Sequence, residues 1–348
     1  MAWPYQQHAK NIKFLPCIFT LLFALVGLST ATPNTHAAAS ISSPNLVTSD
    51  NWSGDEAQGK IGSFNRAQIA FNVPSLKSNG DMSVWAGLGG DPTLLGGDPN
   101  SAILVQAGVD SCLGSSCFGP CPNPNIQCNY AWWEIADALV VQPIRFNKPI
   151  RAGNLIAVYL ESNFNNKGSD ILRVTDLTIG ESHTILVGNQ GATKDGQRIS
   201  IITPNGRSSS LNGIKIITDG ASAECIGERP LVGSLSGGSF TTLPVVPPVN
   251  ILRCDVGNSR LLEAISSAQP LNQITMVDRG TSGRRSLGNS VRGANATADI
   301  PRLRPGPIGG RYGDAFTLAE PTSQQPLNST ARFVKFPGRS SHLPPGSE

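Results

Sequence analysis

Histidine is nearly missing from this chain. Among 348 residues there are four, His8, His36, His183 and His342. Only His183 falls in the body of the sequence, in Gly180-Glu181-Ser182-His183, which reads as a hairpin turn. A Ser-His-Asp relay would have to use it. No G-x-S-x-G elbow is present. Neither the Asp-Thr-Gly or Asp-Ser-Gly of a paired-aspartate site nor H-E-x-x-H occurs. Charge is sparse as well, at 15% of residues, and aromatics make up 6%. There is one N-terminal apolar run, short for a membrane-spanning helix, which takes about 20 residues, and no second run of that length.

That run, Phe14 to Leu28, follows Lys10 and Lys13 and precedes the small residues Ser29, Ala31 and Ala37 to Ala39. It reads as an export signal over 1–31, with 32–47 a short connector or propeptide. An uncleaved anchor is the competing reading. The expected product is secreted and extracellular, with no membrane contact after cleavage, and a monomer. Cys17 lies in the signal, which leaves six cysteines: Cys112, Cys117, Cys121, Cys128, Cys225 and Cys254. An even number in an exported chain suggests disulfides. The four between 112 and 128 would staple one loop, leaving Cys225 and Cys254 to each other. A zinc site is the rival, but the spacings do not match paired C-x-x-C ligands, so no metal is expected.

Glycine (37) and proline (26) are abundant, and short β-branched segments alternate with turn residues. The pattern predicts an all-β fold, an antiparallel sandwich of the jelly-roll kind seen in concanavalin-like lectins. Expected strands include Ala67–Val73, Ser83–Leu88, Ala102–Asp110, Leu155–Glu161, Ile171–Leu177, Arg198–Ile202, Gly213–Thr218, Ala223–Gly227, Val249–Arg253 and Gln273–Val277. Tyr130–Val141 reads as a strand or a helix, and Leu261–Ser267 as a short helix. The body spans 48–280. From Arg279 to Glu348 there are ten Lys/Arg against four Asp/Glu. Those bases are scattered among Pro, Gly and Ser, so 281–348 is expected to be a solvated, mostly disordered tail and not a nucleic-acid-binding segment.

With histidine, metal and serine chemistry thin, amides and carboxyls remain. In Leu104-Val105-Gln106-Ala107-Gly108-Val109-Asp110, Gln106 shares a strand face with Leu104, Gly108 and Asp110. In Ala223-Glu224-Cys225-Ile226-Gly227-Glu228, Glu224, Ile226 and Glu228 share a face. If the two faces met, an amide and a carboxyl group would bracket a water. The alternative is a structural amide and a solvated strand end beside Arg229.

These segments resemble the glutamic peptidases, or eqolisins. In that family the catalytic glutamine follows Ile-Leu and precedes Thr-Gly, with an aspartate two residues further on. Ile103 to Asp110 follow that pattern with Val105 inserted. The catalytic glutamate ends an Ala-Glu-aromatic-Ile-x-Glu run, matched by Ala223 to Glu228. Asn51-Trp52-Ser53-Gly54, Val73-Pro74-Ser75, Val84 to Asp91 and Tyr130-Ala131-Trp132-Trp133-Glu134 follow in family order. Gly89 stands where the family has aspartate, Cys225 where it has an aromatic, and Cys112 to Cys128 form an insertion.

The resemblance implies a secreted acid endopeptidase acting on polypeptides. Gln106 and Glu228 would be catalytic. Trp85, Trp132, Glu134 and Asp110 would line the substrate cleft, and no cofactor would be needed. Glycoside hydrolysis by Glu134 and Glu228, or a lectin-like module with Trp52, Trp85, Trp132 and Trp133 as a stacking surface, are the rival readings. Asn51, Asn295 and Asn328 are glycosylation acceptors if the chain passes through an endoplasmic reticulum.

Overall fold

The computed structural model describes residues 43–90, 103–114, 117, 121, 123–136, 139–162, 168–202, 216–232, 239–258, 261–268, 270–278, 300–309, 314–321 and 332–333. The expected signal and most of the connector lie outside them. Among the described residues no helix is long and apolar enough to cross a membrane.

The predicted antiparallel sandwich is what forms. One sheet runs β7 (Gln142–Ile144), β6 (Cys128–Ile135), β5 (Val105–Leu113), β4 (Gly80–Leu88), β13 (Ser222–Glu228), β2 (Trp52–Gln58), β18 (Leu271–Asp278), β1 (Asn45–Ser49) and β21 (Arg332–Phe333). Only the two pairings of β1 are parallel. The second sheet runs β12 (Gln197–Ile199), β11 (Gly191–Lys194), β10 (Glu181–Gly188), β9 (Ser169–Asp176), β8 (Leu155–Glu161), β3 (Arg66–Asn72) and β16 (Val249–Gly257). The far edge of β16 carries β17 (Leu262–Ala264) and β20 (Phe316–Ala319). A strand after the body, β19 (Ile300–Pro305), pairs with β18 in the first sheet and β20 in the second. A small ribbon joins β14 (Leu231–Val232) to β15 (Ser239–Phe240).

Alternation decides which faces meet. On β4, Met82, Val84, Ala86 and Leu88 enter the inter-sheet core with Ile69 and Phe71 of β3 and Val158 of β8. Their neighbours Trp85 on β4, Trp132 on β6 and Ile226 on β13 belong to a second apolar cluster on the outer face of the first sheet. Both faces of the central strands are therefore buried, which explains why their sequences read as near-continuous apolar runs. Three disulfides form, Cys112–Cys117, Cys121–Cys128 and Cys225–Cys254. The last ties β13 of the first sheet to β16 of the second.

Several expectations are corrected. Tyr130–Val141 is no helix; its first part is β6, with Trp133 in the core and Trp132 on the outer face. Leu261–Ser267 divides into β17 and a single 3-10 turn, Ile265–Ser267. The C-terminal end of Gly213–Thr218 forms no strand, and 213–215 lie outside the described residues. His183 is inside β10, not in a turn. Its ring is bracketed by Asp195 Oδ2 at 2.7 Å and Glu181 Oε1 at 2.8 Å. Disorder from residue 281 does not hold for β19 and β20. Leu303, Phe316 and Leu318 are buried in the main core, and apolar burial of that kind offsets the ordering entropy that Pro and Gly suggested would win.

Candidate active site

The outer face of the first sheet carries three rows of side chains in register. The first row is Asn272, Glu56, Glu224, Gly87, Gln106 and Glu134, crossing β18, β2, β13, β4, β5 and β6. The second is Ile274, Gly54, Ile226, Trp85, Gly108 and Trp132. The third is Trp52, Glu228, Ser83, Asp110 and Tyr130. All six predicted residues thus project from one face, on four strands.

The rows also show which residues meet. Gln106 donates from Nε2 to Glu134 Oε2 at 2.9 Å. Trp85 donates from Nε1 to Glu228 Oε2 at 2.8 Å, and Asn51 Nδ2 approaches Glu228 Oε1 at 3.5 Å. Trp132 donates from Nε1 to Ser83 Oγ at 2.9 Å. Asp110 sits opposite Ser83 and Tyr130, two positions along β5 from the row of Gln106. Gln106 and Glu228 are not register partners. Two strand spacings and four residues of offset separate their α-carbons by roughly 16 Å on a flat sheet.

Trp85, on the strand and in the row between Gln106 and Glu228, occupies the midpoint of that span, and a missing side chain makes room for it. A Cβ added at Gly108, the β5 partner of Trp85, would lie 2.3 Å from the Val84 carbonyl oxygen and 2.5 Å from Trp85 Cβ. Only glycine lets β5 approach Trp85 so closely. Trp85 itself is held edge-on by Trp52, with ring centroids 4.9 Å apart. That contact fixes the indole N–H on Glu228 and is worth about 1 kcal/mol beyond burial.

Glu228 is no solvated strand end. It is fully buried, and its neighbour Arg229 turns to Asp278, 2.8 Å away. Gln106 is 1% exposed. Its Oε1 has no hydrogen-bond partner among the described residues. An orphaned buried acceptor costs about 1–3 kcal/mol, and such groups mark sites where a water or a substrate belongs.

Sequence reasoning did not give roles to Asn51, Ser83 or Glu56. Asn51 was legible only as part of a motif. Its side chain is buried and accepts from Ser49 Oγ at 3.0 Å, so it is not an accessible glycan acceptor. No three-carboxylate or histidine cluster of metal-ligand geometry occurs among the described residues. The one compact candidate group, Cys112, Cys121 and Cys128, has its sulfurs in disulfides and offers no thiolate.

No curated protein gives a significant sequence match. Among solved structures, Scytalido-glutamic peptidase with a peptide based transition state analog is 17% identical, with 78% of this chain and 98% of that chain covered and a TM-score of 0.46. SCP-B, a member of the eqolisin family in a complex with the tripeptide Ala-Ile-His, is 16% identical over the same shares, with a TM-score of 0.46. Values this low assign no residue a role. Glu228 lies beyond the segment that a family profile covers. That profile, of the Peptidase A4 family, matches residues 50–198, with Trp85, Gln106 and Glu134 among them.

Proposed function

We propose that the protein is a secreted endopeptidase that hydrolyses polypeptides at acid pH with Gln106, Glu228 and one water. One observation carries the reading. A buried carboxyl group aimed by an indole N–H and a buried amide with an unpartnered oxygen rise from the same sheet face, on either side of Trp85. In the reaction, Glu228 takes a proton from the water as the oxygen attacks the scissile carbonyl carbon. The carbonyl π electrons move onto oxygen, and the Gln106 amide N–H stabilises that oxyanion. Glu228 then returns the proton to the leaving nitrogen as the C–N bond breaks. Asn51 and Trp85 hold the carboxyl during both transfers.

A glutamate serving both as base and acid works near its own pKa, about 4.3 when unperturbed, hence the acid optimum. Trp132 and Asp110 frame the cleft beyond Ser83, and Glu134 anchors Gln106. Residues 1–31 act as the export signal in this reading. The test is Glu228→Gln and Gln106→Ala, assayed on an unfolded protein substrate at roughly pH 3–4, near the carboxyl pKa. Loss of peptide release in both variants, with unchanged thermal melting, supports the reading; full activity in either overturns it.

A further inference from the structure

The row that contains Gln106 also contains two carboxyl groups face to face. Glu56 and Glu224 are cross-strand partners, and both are fully buried. Like charges directly opposite on a sheet repel, and two buried carboxyl groups this close cannot both ionise cheaply. One proton between them removes most of that cost. Asn272 Nδ2 and Gln58 Nε2 donate to Glu56 Oε2, at 2.8 and 3.4 Å. Donors of this kind favour the charged form, so Glu56 keeps the charge and Glu224 the proton.

Glu224 leans the other way, over β4. A Cβ built on Gly87 would lie 2.9 Å from Glu224 Oε1. The carboxyl group therefore occupies the place a side chain at 87 would take, one strand from Gln106. Gln106 is the next member of the row, held at Nε2 by Glu134 and carrying the unpartnered Oε1.

We propose that Glu224 is a positioning residue for Gln106: as a carboxylic acid it donates to Gln106 Oε1 and, with Glu134 at Nε2, fixes the plane of the amide. A carbonyl oxygen has two lone pairs, so Oε1 holds Glu224 and a water at once. The role rests on the dyad reading above. The other titratable groups on the same sheet face are Glu56 on β2, directly opposite Glu224, Asp81 on β4, Asp110 on β5, Glu134 on β6 and Glu228 on β13 itself. The described strands β1, β2, β4, β5, β6, β7, β13 and β18 contain no Lys, Arg or His, so no cation on them pulls the proton off.

The test uses the full-length protein with Glu224→Gln, which stays neutral and keeps a donor, and Glu224→Leu, which has neither acid nor donor. The Gln106 side-chain NH2 resonances, assigned by their loss in Gln106→Glu, are followed against pH by NMR beside kcat/KM. In the native protein these resonances are expected to shift with a titration that disappears in Glu224→Gln. Glu224→Gln is expected to keep kcat within about threefold at acid pH, and Glu224→Leu to lose about tenfold in kcat with KM unchanged. Gln106 resonances and kcat that ignore Glu224→Leu overturn the proposal, as does a native pH titration that persists in Glu224→Gln. If Glu224→Leu fails to fold, the Glu224→Gln titration alone decides. Resonances that respond to Glu224 in a protein releasing no peptides support the contact and overturn only the catalytic reading.

Discussion

The two sheets treat charge in opposite ways. In the second sheet several acids come with bases, while Asp170 and Asp176 take hydroxyl and amide donors instead. Arg66 meets Glu161 at 2.8 Å across β3 and β8, Arg253 meets Asp255, and His183 lies between Glu181 and Asp195. Burial alone would raise Glu181 and Asp195. The amide of Asn147 at Glu181, and His183 at both, outweigh it and hold the two below the ordinary carboxyl range. In the first sheet Asp55, Glu56, Asp81, Asp110, Glu134, Glu224 and Glu228 are all buried, and the eight strands that bear them or flank them supply no base. One sheet sets several of its carboxylates against cations. The other buries carboxyl groups with no cation on its central strands, which raises the cost of ionising them together. A glutamate that must gain and lose a proton belongs on such a face.

The comparison breaks most visibly at Glu228 and Gln106, where substitution is expected to lower kcat/KM by roughly 10²- to 10⁴-fold. The next effect is on stability. Burial pushes Asp55 up to about 8, against a lowering contact from Gln273. Below about pH 4 the carboxyl is protonated folded or unfolded and costs nothing. Between there and pH 8 the unfolded form ionises while the folded one stays neutral, so stability falls as pH rises, by on the order of 5 kcal/mol. Urea unfolding of the native protein at pH 4 and pH 7 measures this. Asp55→Asn is expected to flatten the slope, and a slope unchanged by it would remove Asp55 from the account.

Cutting the tie between sheets, with Cys225→Ala and Cys254→Ala together, is expected to cost about 3 kcal/mol by the same assay. In the second sheet Arg66→Ala should cost about 1–2 kcal/mol, because it leaves Glu161 with only the Tyr159 hydroxyl. That hydroxyl, raised to about 12 by burial and by Glu161 and pulled down by the Arg66 cation, should titrate higher in the variant. Arg253→Ala, half exposed, should change stability by less than about 0.5 kcal/mol.

Much of the outer face was legible in the sequence because period-two alternation is local. Gln106 with Asp110, and Glu224 with Glu228, could be placed on shared faces from spacing alone, and β8 coincides with its expected span, Leu155–Glu161. Register between strands was not legible. Nothing in the chain says that Gln106 aligns with Glu224 rather than Glu228, because that depends on how β4 threads between β5 and β13. Asn51 was hidden for a similar reason: its partner is 177 residues away. His183 was misplaced because Gly180 looked like the centre of a turn, when the strand restarts at Glu181. The late strands β19 and β20 were missed because Arg, Pro and Gly mask the few apolar side chains that dock.

Strand β19 has a consequence for processing. It closes over β18 on one side and β20 on the other, so the segment after Asp278 acts as a buckle between the layers. A cut that released β19 would unfasten both layers together.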